Sequence, residues 1–159
     1  MLLPERFTKA DVDYLVAEAK FIKVIPPFRV DPRRPTTRMI QQPVFRKSEP
    51  NNPIKGLVVM AKVHISLPGL PRLIPSSALE WYGKRIRGLN KEIWHDNPDG
   101  TTVKGWHEHL WSPEEQDSYV VSARPKVTRT GLLDVFKWGL EKWNIDVLEK
   151  QLEELLWRR

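Results

Sequence analysis

The sequence Asn-Pro-Asp-Gly at residues 97–100 constrains the fold more than any other feature of the chain. Asparagine suits the first position of a type I turn, proline the second, and glycine the left-handed position that follows. This order predicts a tight turn with a G1 bulge, which joins two antiparallel strands through a three-residue loop. Residues 92–97 and 103–110 are therefore expected to be the two strands of one hairpin.

The turn also predicts which residues of the hairpin face each other. Counting outward from it places His95 opposite Val103, and Lys91 opposite His107. Because opposed residues share a face of the sheet, Lys91, His107 and His109 are expected side by side. In a straight strand His95 lies roughly 13 Å from His107, at about 3.3 Å per residue. A metal ion needs its ligand atoms about 2 Å away, so the three histidines are not expected to share one.

Two histidines beside a lysine are the parts of a metal-independent ribonuclease site. Such a site needs a base, an acid and a cation, and histidine titrates in the range that suits the first two. His107, His109 and Lys91 are therefore the candidate catalytic residues, with no metal and no cofactor assigned. Two alternatives stay open: the histidines begin a metal site that a carboxylate such as Asp117 completes, or they lie on a polar face exposed to water.

Composition favours an anionic partner. The formal net charge is +6, which suits binding to RNA or DNA, although a charge that only keeps the protein soluble explains it as well. The absence of cysteine excludes disulfides, cysteine metal ligands and a cysteine nucleophile. No apolar leader and no apolar run of about 20 residues is present, so we expect a cytoplasmic protein that does not enter a membrane.

Further candidate binding residues lie on the hairpin, on the strand before it, and in a basic segment nearer the N-terminus. Arginines contact phosphates, and a tryptophan stacks on an unpaired base, although tryptophan is more often part of a core. The candidates are Asp96, Asn97, Arg85, Arg87, Arg33, Arg34, Arg38 and Trp111.

The basic segment is residues 26–55, which hold seven of the 14 prolines. So many prolines exclude helix and make a poor central strand, so we expect an extended arm. One interpretation is a basic strap on a phosphate backbone or a partner protein, and the other is a long loop wrapped on its own domain.

The remaining segments show clear periodicity. Helical spacing predicts an N-terminal helix within residues 1–25 and two C-terminal helices within 128–159, the last capped by Asp146. Alternation over residues 56–124 predicts an antiparallel β-meander. The sequence therefore predicts a single α+β domain, in which the helices pack on the sheet and the arm lies outside it. Where the last helix is exposed, a partner chain or a second copy is expected to bind its apolar stripe, which includes Leu148, Leu152 and Leu155.

The hairpin resembles the TumE-like toxins of bacterial toxin–antitoxin systems. Those proteins carry an Asp-Asn pair after an aromatic strand and a His-x-His on the next strand. The matching residues are Asp96 and Asn97 in "IWHDNP", and His107 and His109 in "GWHEHLW". The resemblance covers about forty of the 159 residues, and "PDGTT" replaces the family's paired-histidine element.

The hairpin is equally similar to an uncharacterised family of prokaryotic proteins with a "GWHEH" strand and a "WNI" helix. The first resemblance implies a ribonuclease-like toxin or defence factor, and the second implies no activity. The alternative function is a non-catalytic interaction protein, which binds a partner chain through the basic arm and the last helix.

Overall fold

The structure is a computed structural model that describes residues 7–64, 74–127 and 131–148. These residues form two helices and nine strands. The elements are α1 (Lys9–Ala17), β1 (Lys20–Ile22), β2 (Arg29–Asp31), β3 (Arg34–Arg46), β4 (Pro53–His64), β5 (Ser76–Trp81), β6 (Lys84–Asp96), β7 (Thr102–Ser112), β8 (Gln116–Ser122), α2 (Gly131–Lys142) and β9 (Ile145–Val147).

All nine strands belong to one mixed sheet, in the order β8-β7-β6-β5-β4-β3-β1-β9, with β2 also paired to β3. From β3 to β8 each strand pairs antiparallel with the next, so the strands expected over residues 56–124 are present. The predicted α+β class is nevertheless wrong, because 55% of the described residues are strand and these residues contain only two helices.

The segment 26–55 accounts for much of this error. It is not an arm, because it contains β2, β3 and the start of β4. The first part of β3 pairs with β2 and its end pairs with β1. Pro43 lies between these two parts of β3, at a position that faces neither β1 nor β2. Its missing N–H therefore removes no hydrogen bond to either strand.

The N-terminal helix is present but shorter than residues 1–25. Thr8 caps α1 in a capping box with Asp11, which satisfies the first free N–H groups of the helix. The helix ends at Ala17 and not at the prolines at 26–27, because the chain turns directly into β1.

Only one of the two predicted C-terminal helices lies in the described chain. In α2 the apolar stripe of Leu133, Phe136 and Leu140 is buried, as expected. Asp146 belongs to β9 and caps no helix. Leu148 is 67% exposed, whereas Leu152 and Leu155 lie outside the described residues.

The two faces of the sheet differ in what covers them. Both described helices pack on one face, here called the helical face, where Arg87 contacts Asp13 of α1 and Glu108 contacts Trp143 just after α2. The core lies between this face and the helices. It includes Ile40, Val59, Ala61, Leu79 and Leu89. The opposite face, here called the open face, carries Lys62, Ser76, Asn90, His107 and His109 by the strand register.

Neither helix in the described part of the chain has the length and apolar character needed to cross a membrane.

Candidate metal centre

The β6–β7 hairpin carries the site, and its turn is the predicted one. The N–H of Asn97 donates to the carbonyl oxygen of Thr101 at 2.8 Å, and the N–H of Gly100 donates to that of Asn97 at 2.9 Å. Gly100 has a φ of 85°, the left-handed conformation that glycine adopts without strain. Residues 92–96 and 103–110 are strand, as expected.

The predicted register holds near the turn and fails beyond it. His95 faces Val103 as expected, but Glu92 faces Gly105. Residues 93–94 therefore occupy the space opposite a single residue of β7, which is a β-bulge. A bulge shifts the register by one position. Every residue of β6 that lies farther from the turn than the bulge therefore occupies the opposite face from the one expected.

Because of this shift, a carboxylate, that of Glu92, lies on the open face beside the histidines where a lysine was expected. Lys91 faces Trp106, and its Nζ lies 5.8 Å from the centre of that indole ring. Asn90 takes the place opposite His107, and Glu92 joins the open face. The predicted catalytic contact between Lys91 and His107 is therefore wrong.

The hairpin tip, residues 95–101, folds across β7 to reach β8. The side chain of Asn97 bonds to the backbone of Val120 as a neighbouring strand would. Its Oδ1 accepts from the N–H of Val120 at 2.7 Å, and its Nδ2 donates to the Val120 carbonyl at 3.0 Å. The backbone bends sharply at the bulge and at Gly105, whose φ is 78°. The tip is thereby fixed to a strand that is not its neighbour in the sheet.

This bend brings three histidines together. The ring centre of His95 lies 5.3 Å from that of His107 and 5.5 Å from that of His109, and the last two are 5.0 Å apart. The expectation that His95 is too far away to share a site is wrong, because it assumed a straight strand. These histidines and Glu92 are called the histidine cluster below.

Each histidine of the cluster faces a backbone carbonyl with one ring nitrogen. A carbonyl oxygen only accepts hydrogen bonds, so the nitrogen facing it carries a proton. On His107 and His109 the other nitrogen of the neutral ring has a lone pair, whereas on His95 the other nitrogen, Nδ1, faces the Glu92 carboxylate at 3.2 Å. This pattern fixes the tautomer of metal-ligating histidines. The contacts are His95 Nε2 to Ser118 at 2.7 Å, His107 Nδ1 to Gly105 at 2.9 Å and His109 Nδ1 to Asp117 at 2.7 Å.

The Nε2 atoms of His107 and His109 are buried, and neither has a hydrogen-bond partner within the described residues. The residues themselves are 0% and 4% exposed, so the expectation of water-exposed histidines is wrong. Burial lowers the pKa of His107 and lowers the pKa of His109 to about 4. Both rings are therefore neutral at pH 7, which is the form that binds metals.

Glu92 completes a set of ligands. Its Oε2 lies 3.2 Å from Nδ1 of His95 and 3.8 Å from Nε2 of His107, and one ligand atom from each of the three residues lies within 4.8 Å of the others. Ligands bound at about 2.0–2.1 Å in a tetrahedron stand about 3.3 Å apart. Small side-chain movements therefore suffice to hold an ion, and the 45% exposed side chain of Glu92 leaves the site open to solvent.

Arg85 lies at the edge of the cluster. Its Nε donates to the carboxylate of Asp117 at 2.7 Å, and its guanidinium lies 3.4 Å from Nδ1 of His109. Gly88 leaves room for this side chain, because a Cβ there would lie 2.7 Å from Cδ of Arg85. The ion pair holds in place the residue whose carbonyl orients His109.

Two predicted binding residues lie elsewhere. Arg87 is 8% exposed, belongs to the helical face, and donates to the carboxylate of Asp13 at 2.9 Å. Trp111 is 5% exposed and part of the core, because a second irregularity between Leu110 and Ser112 changes the register of β7. Neither side chain is available to a nucleic acid.

The remaining predicted residues divide by position. Asp96 is exposed and accepts a hydrogen bond from Thr102 at 2.8 Å, whereas Asn97 is buried and holds the hairpin tip. The exposed arginines, Arg33, Arg34 and Arg38, lie at the β2–β3 hairpin.

No protein-family model, curated protein or solved structure matches the chain. The geometry of the cluster therefore carries the functional inference. Sequence reasoning missed His95 and Glu92 as site residues. Their spacing of three places them on opposite faces of a regular strand, so only knowledge of the bulge would have joined them.

Proposed function

We propose that the protein binds a divalent transition metal ion through Glu92, His95 and His107 and uses the ion as a hydrolytic centre. The observation that carries this proposal is the buried Nε2 of His107, which has no hydrogen-bond partner among the described residues and lies 3.8 Å from the Glu92 carboxylate. Catalytic zinc sites use three protein ligands, such as two histidines and a glutamate, and leave the fourth position to water.

The residues around the ligands suit this chemistry. Zinc lowers the pKa of a bound water to about 7, which supplies a nucleophile at neutral pH. The Nε2 of His109 is a neutral acceptor beside the ligands and is placed to orient that water. Arg85 and Asp117 act through His109, because they fix the carbonyl that sets the direction of its ring.

Metal-free cleavage by His107 and His109 has less support. It requires one of the two imidazoles to be protonated near neutral pH, and burial lowers the pKa of both. It also requires a nearby cation, and Lys91 lies on the other face of the hairpin. The resemblance to TumE-like toxins stays a prediction.

Zinc titration of the metal-free protein tests the proposal by calorimetry. We expect one bound ion and an affinity at least about 100-fold lower in Glu92→Gln and in His107→Asn, since loss of an outer-sphere partner alone costs about 10–100-fold. Asparagine keeps a donor near the position of Nδ1 and removes Nε2. His64→Asn is the matched control, because His64 lies outside the cluster, and its zinc affinity should not change.

Hydrolysis is measured on an activated phosphate diester, bis(p-nitrophenyl) phosphate. Activity should disappear with a chelator and return with zinc. Equal zinc affinity in the wild type and His107→Asn would refute the site. Turnover that appears only with ferrous iron and oxygen would retain the metal site and overturn hydrolysis.

A further inference from the structure

A cleft of about 240 Å³ adjoins the histidine cluster on the open face. Arg34, Lys62 and His64 contribute to its walls, and Glu92 belongs both to the cleft and to the cluster. Lys91 also borders the cleft, but its ammonium lies over Trp106 on the other face of the sheet. Within the described chain, Glu92 is the only carboxylate that lines it. The cleft therefore has more positive than negative side chains and ends at the proposed metal ligands.

The strand register places the cleft and the cluster in one row. Lys62 faces Ser76 across β4 and β5, and Asn90 faces His107 across β6 and β7. All four belong to the open face. A ligand seated beside Lys62 can thus extend along the sheet to the histidines.

The two cations that face the cleft have no direct ion-pair partner. Among residues 7–64, 74–127 and 131–148, no carboxylate forms an ion pair with Arg34 or Lys62. His64 is held by the hydroxyl of Thr37, whose Oγ1 lies 2.8 Å from its Nδ1. Two cations that face one concavity and lack an ion-pair partner favour a ligand with at least one full negative charge.

We infer that this cleft binds the phosphate group of the substrate and presents it to the ion held by Glu92, His95 and His107. This inference rests on the proposed function. The guanidinium of Arg34 and the ammonium of Lys62 match the oxygens of a phosphate ester. The exposed Arg33 precedes Arg34 in the chain and adds positive charge beside it, as binding to the backbone of RNA or DNA requires.

The reaction that follows is hydrolysis of a P–O bond. Water held by the ion would lose one proton and add its oxygen to phosphorus as the ester P–O bond breaks. The leaving oxygen takes up a proton, so a diester and water give a monoester and an alcohol. Bound metal offsets the charge of Glu92, which otherwise repels the phosphate.

A second concavity provides a control. It has a volume of about 490 Å³ and lies beside α2, away from the histidines. Its cations, including Lys126 and Lys142, share it with Asp134 and Glu141. Lys142→Gln therefore changes the net charge by the same amount as Lys62→Gln without touching the proposed cleft.

Calorimetric titration with inorganic phosphate, with and without zinc, tests the cleft. We expect about tenfold weaker phosphate binding in Lys62→Gln and in Arg34→Gln, the usual loss for one charged hydrogen bond. Lys142→Gln should bind phosphate as the wild type does. Zinc should raise the phosphate affinity, and phosphate should raise the zinc affinity by the same factor.

The outcomes separate this inference from the proposed function. Phosphate binding that is unaffected by Lys62→Gln, or is lowered equally by Lys142→Gln, overturns the cleft even if zinc binds. Absence of zinc binding overturns the proposed function, whatever phosphate does. A short single-stranded RNA that competes with phosphate, more weakly at higher salt, identifies nucleic acid as the source of the phosphate. Competition by a small phosphate ester alone identifies a small substrate.

Discussion

Lys20 and His107 are both fully buried, each 0% exposed, yet their surroundings differ. The three donors of the Lys20 ammonium all have acceptors, because two carbonyls near the end of α1 and that of Glu18, just after the helix, surround it. On His107 the donor has a partner, whereas the Nε2 acceptor has none among the described residues. The oxygens that accept from Lys20 Nζ are those of Leu15 at 2.7 Å, Val16 at 2.9 Å and Glu18 at 2.6 Å.

The difference separates a structural polar group from a functional one. Carbonyls at a helix end need donors, and Lys20 supplies them while β1 passes beneath α1. An acceptor buried without a partner destabilises the fold, and a bound ligand is one way to supply the missing contact. Substitution of Lys20 should therefore affect stability alone, whereas substitution of His107 should affect zinc binding.

The largest effect is expected for Lys20→Met. Methionine keeps much of the chain length but leaves three carbonyls without a donor, so the free energy of unfolding should fall by about 3 kcal/mol or more. Urea denaturation measures this. Lys23→Met is the matched control, because Lys23 is exposed and loses only a contact over the Phe45 ring, about 1 kcal/mol or less.

Equal losses in the two lysine variants would contradict a special role for Lys20. Zinc affinity is the second measurement. Lys20→Met should leave it unchanged under conditions in which the variant is folded.

Acid should weaken the metal-free protein through the histidine cluster. Burial lowers the pKa of His109 to about 4, whereas an unfolded histidine titrates near 6.5. Between these values the unfolded chain binds more protons, so this stability is complete above about pH 6.5 and falls as the pH drops towards 4, by up to about 3 kcal/mol.

Urea denaturation across this pH range measures the slope. Burial also lowers the pKa of Lys20, to about 8, but this lysine is charged in both states below pH 7. The slope should therefore persist in Lys20→Met and become shallower in His109→Asn. A flat profile in the wild type would show that the imidazole is not shielded from water.

The smallest effect on stability is expected for Asn97→Ala, which removes a hydrogen-bonded polar group that supports the proposed metal site. Asn97 has its hydrogen bonds satisfied and holds the tip that positions His95. Loss of the contacts to Val120 should cost about 1–2 kcal/mol and should also weaken zinc binding. Asn52→Ala, at an exposed position, should change neither property. Zinc binding that survives a released tip would remove His95 from the ligand set.

Local features of the hairpin could be predicted from the sequence. The Asn97–Gly100 turn depends on residues within four positions, and alternation marks the strands on either side. The stripe of α2 is equally local. Such patterns depend on backbone preferences and on side-chain period, which one segment contains in full.

The features that create the site depend on distant residues. The bulge at 93–94 lets the tip reach Val120, and nothing near the bulge in the sequence specifies that contact. Because of the one extra residue in the bulge, Glu92 instead of Lys91 lies on the open face, and His95 lies beside His107. The strands of residues 26–55 were not predicted for a related reason. Proline is excluded only from strand positions whose N–H must donate to a neighbouring strand, and the local sequence does not show which positions those are.

The parallel pair of β1 and β9 has a consequence for biosynthesis. The Asn144 side chain donates to the carbonyl of Ala17 across 127 positions of sequence, and β9 pairs with β1 beside it. During translation β1 must wait for nearly the whole described chain before this neighbour emerges from the ribosome. Until then β1 presents an unpaired edge, the kind of surface that chaperones cover and that promotes aggregation.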